Sequence, residues 1–200
     1  MRPSLVLLAG PNGAGKSTLY QTRVAPRFAG PLINADLIQR DELQDASMEA
    51  SYRAAEIAAE RRADLLEARK SFATETVFSH PSKLDIINDA QARGYMVIVM
   101  HVGVDDPDLS VARVRARTKE GGHDVPEKKI RDRYQRGQPL VRQAVLRADR
   151  GMVFDNSRLN EPPRLVALFA AGRLVRAEPI MPDWVLTSYA QDLVICGQEK

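Results

Sequence analysis

Apolar positions fall into two rhythms along the chain. Short runs with little polar interruption occur at Ser4 to Ala9, Leu32 to Asn34, Ser71 to Thr76, Tyr95 to Val104 and Gly151 to Phe154. These predict five strands, and the first has the unbroken pattern of a parallel strand buried on both faces. Between them the period lengthens. Lys16 to about Arg23 reads as a helix, and so does Asp45 to Arg69, where Ala50, Ala54, Ile57/Ala58 and Leu65/Leu66 recur on one side. Ser82 to Arg93 is a further helix, stopped by Gly94. Two basic helices follow, about Asp108–Lys119 and Pro126–Asp149, hinged by Gly121-Gly122. The tail is ambiguous: Leu165 to Phe169 suits a strand or a helix, and Leu174 to Ala177 reads as a strand edge. Trp184 opens a terminal helix with a packing role. Strand alternating with helix calls for an α/β fold, a parallel sheet with helices on both faces. With 200 residues, one domain over 1–200 is expected, carrying a basic helical lid at about 108–150.

Composition changes this picture little. The chain is 44% hydrophobic and 28% charged, without repeats or low-complexity tracts. Lone Cys196 excludes an internal disulfide framework, and the scattered His80, His101 and His123 do not form a zinc site. The longest apolar run, Met96 to Val104, is about half of what spans a bilayer. Met1-Arg2-Pro3-Ser4 leads directly into the first strand, so no cleavable signal and a cytoplasmic location are expected. Charge is more telling. The net balance is +3, yet Val111 to Arg150 holds twelve Lys/Arg against five Asp/Glu, a balance of +7, leaving −4 elsewhere. Such a segment serves nucleic acid, a phosphate-clamping lid, or merely a solvated helix face.

The first strand decides between them. It runs into Gly10-Pro11-Asn12-Gly13-Ala14-Gly15-Lys16-Ser17, a full match to G-x-x-x-x-G-K-[ST] followed by Thr18. In this loop successive backbone N–H groups wrap a phosphate and the helix behind adds its positive end. Lys16 reaches the β/γ oxygens and Ser17 is a magnesium ligand. ATP with Mg2+ is the implied cofactor pair. A transporter-type ATPase would also need an L-S-G-G-Q signature, and a switch GTPase an N-K-x-D motif. Neither occurs. Phosphoryl transfer to a hydroxyl remains, and it requires an acceptor-side acid, a magnesium-side carboxylate and mobile arginines.

Asp36 follows the second strand at the carboxyl edge of the sheet, where open α/β sheets bind ligands, and is the candidate base. The alternative is that it caps the helix beginning at Leu37. Glu75 ends the third strand, facing magnesium or acceptor, or else making a structural ion pair. Thr76 and Ser79 lie close by. Arg113 and Arg117, four apart, share a helix face and are the favoured lid arginines, with Arg131 next.

In order along the chain, Gly10–Thr18, Asn34-Ala35-Asp36, Phe72-Ala73-Thr74-Glu75-Thr76, Gly121-Gly122-His123-Asp124-Val125-Pro126, Ile130-Arg131-Asp132-Arg133-Tyr134 and Asp155-Asn156-Ser157 resemble the zeta toxin family of P-loop kinases, in its compact branch. The resemblance implies a P-loop kinase fold, Asp36 as general base, Lys16 and Ser17 holding ATP-Mg, and Glu75 with Thr76 near the acceptor. Lid arginines would neutralise the γ-phosphate. It implies a UDP-sugar acceptor such as UDP-N-acetylglucosamine, which the best-known members phosphorylate on the 3′-hydroxyl, and an antitoxin protein as partner. His123 stands near the place where larger members carry a second lid arginine. The alternatives are a polynucleotide 5′-hydroxyl kinase, for which nucleic acid would be the acceptor, and a nucleotide-binding module without transferase activity.

Overall fold

The computed structural model describes residues 2–119 and 125–194. The strands are β1 (Ser4–Ala9), β2 (Leu32–Ile33), β3 (Phe72–Thr76), β4 (Met96–Gly103), β5 (Arg150–Asp155), β6 (Arg164–Ala170) and β7 (Arg173–Ala177). They form one sheet in the order β2-β3-β1-β4-β5-β6-β7. The first five are parallel, whereas β6 and β7 run antiparallel. Five strands are therefore those expected, and the ambiguous tail resolves into a hairpin. Leu165 to Phe169 becomes a strand because β5 would otherwise present an unpaired edge. Among the described residues, no helix is long and apolar enough to cross a membrane.

The helices are α1 (Lys16–Leu19), α2 (Ala35–Leu37), α3 (Met48–Glu67), α4 (Asp85–Ala92), α5 (Pro107–Lys119), α6 (Glu127–Arg147) and α7 (Asp183–Tyr189). Both α1 and α2 widen into π-helical turns, Tyr20–Val24 and Ile38–Leu43. Such turns shorten the regular part of each helix behind a site-bearing residue.

The two sheet faces are covered unequally. On one, Leu5, Leu7, Phe72, Val97, Val99 and Val153 pack against α3, α4, α6 and α7 in a single large core. On the other, Val6, Leu8, Ala73, Val102 and Phe154 meet Ala14, Leu19 and Val24 of the loop–α1 region, with Ile98, Met100 and Met152 only partly buried. The first halves of β4 and β5 thus alternate between buried and more exposed positions, although the sheet's centre is parallel. A third, small cluster of Val111, Val114, Val125 and Ile130 joins α5 to α6. The expected hinge Gly121-Gly122, together with His123, lies outside the described residues.

His101, on β4, is fully buried against Trp184, 5.0 Å between ring centroids, and its Nδ1 pairs with the Tyr189 hydroxyl at 2.8 Å. Burial, with the charge of Lys16 adding to it, pushes the imidazole down from 6.5 to about 3. The unfolded chain binds this proton below pH 6.5 and the folded chain does not. The histidine's contribution is thus intact above pH 6.5 and falls by up to about 1.4 kcal/mol per pH unit toward pH 3. Urea unfolding at pH 7 and pH 5 should show a larger loss in the wild type than in His101→Gln. Equal losses would refute this account.

Candidate functional site

The phosphate loop leaves the central strand at Gly10 and re-enters helix at Lys16. Gly15 caps α1 in the left-handed region, φ 94°, and a Cβ there would strike the Asn156 side-chain amide. Gly13, φ 74°, brings the loop against α5, where a Cβ would lie 2.5 Å from the Ser110 carbonyl oxygen. Only glycine suits both positions. Asn156, just past β5, donates from Nδ2 to the Ala14 carbonyl at 2.8 Å and so pins the loop from the neighbouring strand end.

Lys16 is 5% exposed. Its ammonium donates to the Gly10 and Pro11 carbonyls at 3.0 and 2.9 Å and stands 3.5 Å from Glu75 Oε1. The register Leu8↔Glu75 and Ala9↔Thr76 brings Glu75 here, because β3 ends beside β1 where the loop begins. Ser17 Oγ donates to Glu75 Oε2 at 3.1 Å, and Asn34 Nδ2 donates to the same oxygen, also at 3.1 Å. Glu75 thereby joins the Lys16 ammonium, the Ser17 hydroxyl and the end of β2.

Asn34 also settles what Asp36 does locally. The Asn34 Oδ1 accepts from Asp36 N–H at 2.8 Å and Leu37 N–H at 3.4 Å, so Asn34 is the helix cap. Asp36 occupies the first turn, and its carboxylate makes no hydrogen bond or ion pair among the described residues. The capping alternative is thus corrected: the asparagine two positions earlier already satisfies the free amides. Asn34→Ala should cost about 1–2 kcal/mol, from the lost cap. Chemical denaturation measures it, and a stability equal to wild type would contradict the capping role.

Two cavities meet at Asp36. One, of about 370 Å³, is lined by the phosphate loop through Thr18 together with Arg113, Arg117, Asn156 and Arg158. The other, of about 340 Å³, is lined by Thr76, Ser79, Arg62, Lys83 and Arg133. Asn12, Asp36, Glu75 and Val77 face both. Arg113 donates to the Asn156 and Arg158 carbonyls at 2.8 and 3.3 Å. Burial lowers its guanidinium below the ordinary value, opposed by the nearby Asp155 carboxylate.

Arg131, expected beside them, lines neither cavity. Its guanidinium is taken by Glu127 at 2.7 Å and by Asp108 at 2.5 Å, so it braces α6 on α5. Arg133 faces the cavity instead and donates to Asn12 Oδ1 at 3.2 Å. The i,i+4 spacing of Glu127 and Arg131 was the signal for a structural pair. Asn34 carried a cap signature; Arg62 and Lys83, on separate elements, carried none.

A glycine-rich loop between a buried central strand and a helix, on a five-stranded parallel core with an acid at the sheet's carboxyl edge, defines a P-loop kinase fold. The chain belongs to the zeta toxin family, whose model ("Zeta toxin") matches residues 1–161. An uncharacterized protein of Haemophilus influenzae is 27% identical over 143 residues, 67% of this chain and 94% of that one. Among solved structures, the native AvrRxo1-ORF1:-ORF2 complex matches with a TM-score of 0.67 at 16% identity, over 88% of this chain and 61% of that chain; a form with ATP also scores 0.67. The chain thus spans about three fifths of that relative's length. The PezAT chromosomal toxin–antitoxin system of Streptococcus pneumoniae matches with a TM-score of 0.62 at 16% identity, over 94% of this chain and 78% of that chain.

Proposed function

We propose that the protein transfers the γ-phosphate of ATP to a hydroxyl of a small acceptor, a UDP-sugar of the UDP-N-acetylglucosamine kind, with magnesium. The observation that carries this reading is the unpaired Asp36 carboxylate at the junction of two cavities, one of them lined by the phosphate loop. In this reading the acceptor oxygen attacks the γ-phosphorus, the bond to the bridging β,γ-oxygen breaks, ADP leaves and the hydroxyl proton passes to Asp36. Lys16, Arg113 and Arg117 neutralise the charge that spreads over the transferring group. Thr76, from the end of β3, offers a hydroxyl to the acceptor.

The site suits magnesium held mainly by the nucleotide. Ser17 Oγ and the Glu75 carboxylate are hard oxygen donors 3.1 Å apart, and no cluster of three or more His, Cys, Asp or Glu among the described residues is arranged to hold a metal alone. Ser17 and Glu75 would hold the ion beside the nucleotide phosphates, where it would supply positive charge against the charge of the transferring group.

Nucleic acid is a poorer acceptor on this reading. Part of the basic segment's charge is spent internally, Arg115 and Arg131 on Glu127, and Arg142 on Asp192. An antitoxin protein as partner and a cytoplasmic setting belong to the same proposal. The test is incubation with labelled ATP and a panel of UDP-sugars, dinucleotides and oligonucleotides. Label on a UDP-sugar is the expected result; label on oligonucleotides alone, or ATP binding without any acceptor-dependent turnover, would overturn it.

A further inference from the structure

The acceptor-side cavity carries two cations that phosphoryl transfer does not use. Arg62 projects from α3, and Lys83 lies in the 3₁₀ turn Pro81–Leu84 that precedes α4. Neither side chain makes a hydrogen bond or an ion pair among the described residues. The neighbouring arginine of the same helix behaves differently: Arg61 binds Glu42 through two hydrogen bonds of 2.6 Å. Arg62 is half-buried, and burial holds it below its ordinary value. Burial and the charge of Arg62 do the same to Lys83. Lys83 is exposed where Arg62 is half-buried, and two like charges lining one cavity repel each other unless an anion lies between them. The carboxylates lining this cavity are not available for that. Glu75 is held by Lys16, Ser17 and Asn34, and Asp36 makes no pair with either cation.

We propose that Arg62 and Lys83 form an anion subsite, and that the acceptor is a hydroxyl compound bearing a phosphate group which docks there while its hydroxyl meets Asp36. The inference rests on the kinase reading and adds to it what the enzyme selects. A guanidinium fork and an ammonium point charge together match the geometry and the charge of a phosphate, about −2 when it is a monoester. A carboxylate would leave one cation uncompensated. Ser79 and Ser82 line the same cavity, as does Arg133, which is bonded to Asn12. Selection then falls on the phosphate rather than on a base: a sugar phosphate without a nucleoside is accepted, and neutral sugars and nucleosides are poor acceptors.

Two measurements together test this. First, protein saturated with magnesium and a non-hydrolysable ATP analogue, so that the phosphate loop is filled, is titrated with inorganic phosphate by calorimetry. One further site is expected, with affinity falling roughly tenfold to a hundredfold in Arg62→Gln and in Lys83→Gln, and partly restored in Arg62→Lys. Second, N-acetylglucosamine 1-phosphate and N-acetylglucosamine are compared as acceptors with labelled ATP. The phosphorylated compound should be preferred, its KM rising by a similar factor in both variants while the KM for ATP holds. Phosphate affinity equal to wild type in both variants overturns the subsite, as does equal use of the neutral sugar. If phosphate binds and the variants lose it, yet no acceptor is labelled, the subsite stands and the kinase reading falls. If acceptors are labelled without dependence on Arg62 or Lys83, the subsite falls and the kinase reading stands.

Discussion

Asp36→Asn is expected to abolish most phosphoryl transfer and to leave ATP bound. The substitution keeps size and polarity but removes the only function proposed for this side chain, accepting the acceptor's proton. A positioned general base contributes roughly 10²–10⁴-fold, so kcat should fall by about that factor. The fold has little to lose, since among the described residues the carboxylate takes part in no hydrogen bond and the cap of its helix belongs to Asn34. ATP affinity, read by calorimetry with the non-hydrolysable analogue, and the thermal midpoint should therefore both stay near wild type. The pattern matters as much as the size. A kcat loss with unchanged nucleotide affinity marks a group that acts on the acceptor side. Transfer at the wild-type rate would remove Asp36 from the mechanism.

Lys16→Met should produce the opposite signature, damage to nucleotide binding and turnover together. The lysine is buried, and its charge is shared between the loop carbonyls and Glu75. Without it, the β- and γ-phosphates lose their nearest point charge, and transfer should fall roughly 10²–10³-fold, the usual cost of removing one donor aimed at developing charge. A second cost is structural. Glu75, with 14% of its side chain exposed, is left without its cation, a loss of about 1–3 kcal/mol. Pairing the change with Glu75→Gln removes the stranded carboxylate, so the double variant should regain stability without regaining activity. Denaturation and kinetics on the three variants separate the two roles. Full ATP affinity in Lys16→Met would refute the cradle.

The contrast between these residues explains what could be read from the amino-acid order and what could not. The phosphate loop is legible because its chemistry is local: a backbone that only glycine tolerates, followed at fixed spacing by Lys16 and Ser17. Asp36 and Glu75 are nearly so, since each ends or follows a strand whose apolar run is plain. Arg131 shows where spacing stops helping. A helical face can be counted off, but which face turns to the site depends on how α6 packs on α5, and there Glu127 and Asp108 capture Arg131 while Arg133 turns inward. Arg62 and Lys83 lie further from reach still, because they meet only when α3 and the turn before α4 close on one cavity. The tail follows the same rule. Arg164 to Ala170 has no preference that its own residues enforce, and it becomes a strand because the free edge of β5 receives it.

The match to the family model stops at residue 161, yet the packed body does not. Trp184, from α7, lays its ring on Gly103 at the end of β4 and donates its Nε1–H to Asp155 Oδ1 at 3.0 Å. Asp155 is followed directly by Asn156, whose amide holds the Ala14 carbonyl of the phosphate loop. Two residues therefore separate the last helix from the nucleotide cradle. The stretch from β6 through α7 is the far abutment of an arch whose other foot is the first strand. In this molecule, the natural unit of inheritance for the donor site is the chain through α7, and a version cut where the family resemblance ends would keep every reactive group while losing the support under them.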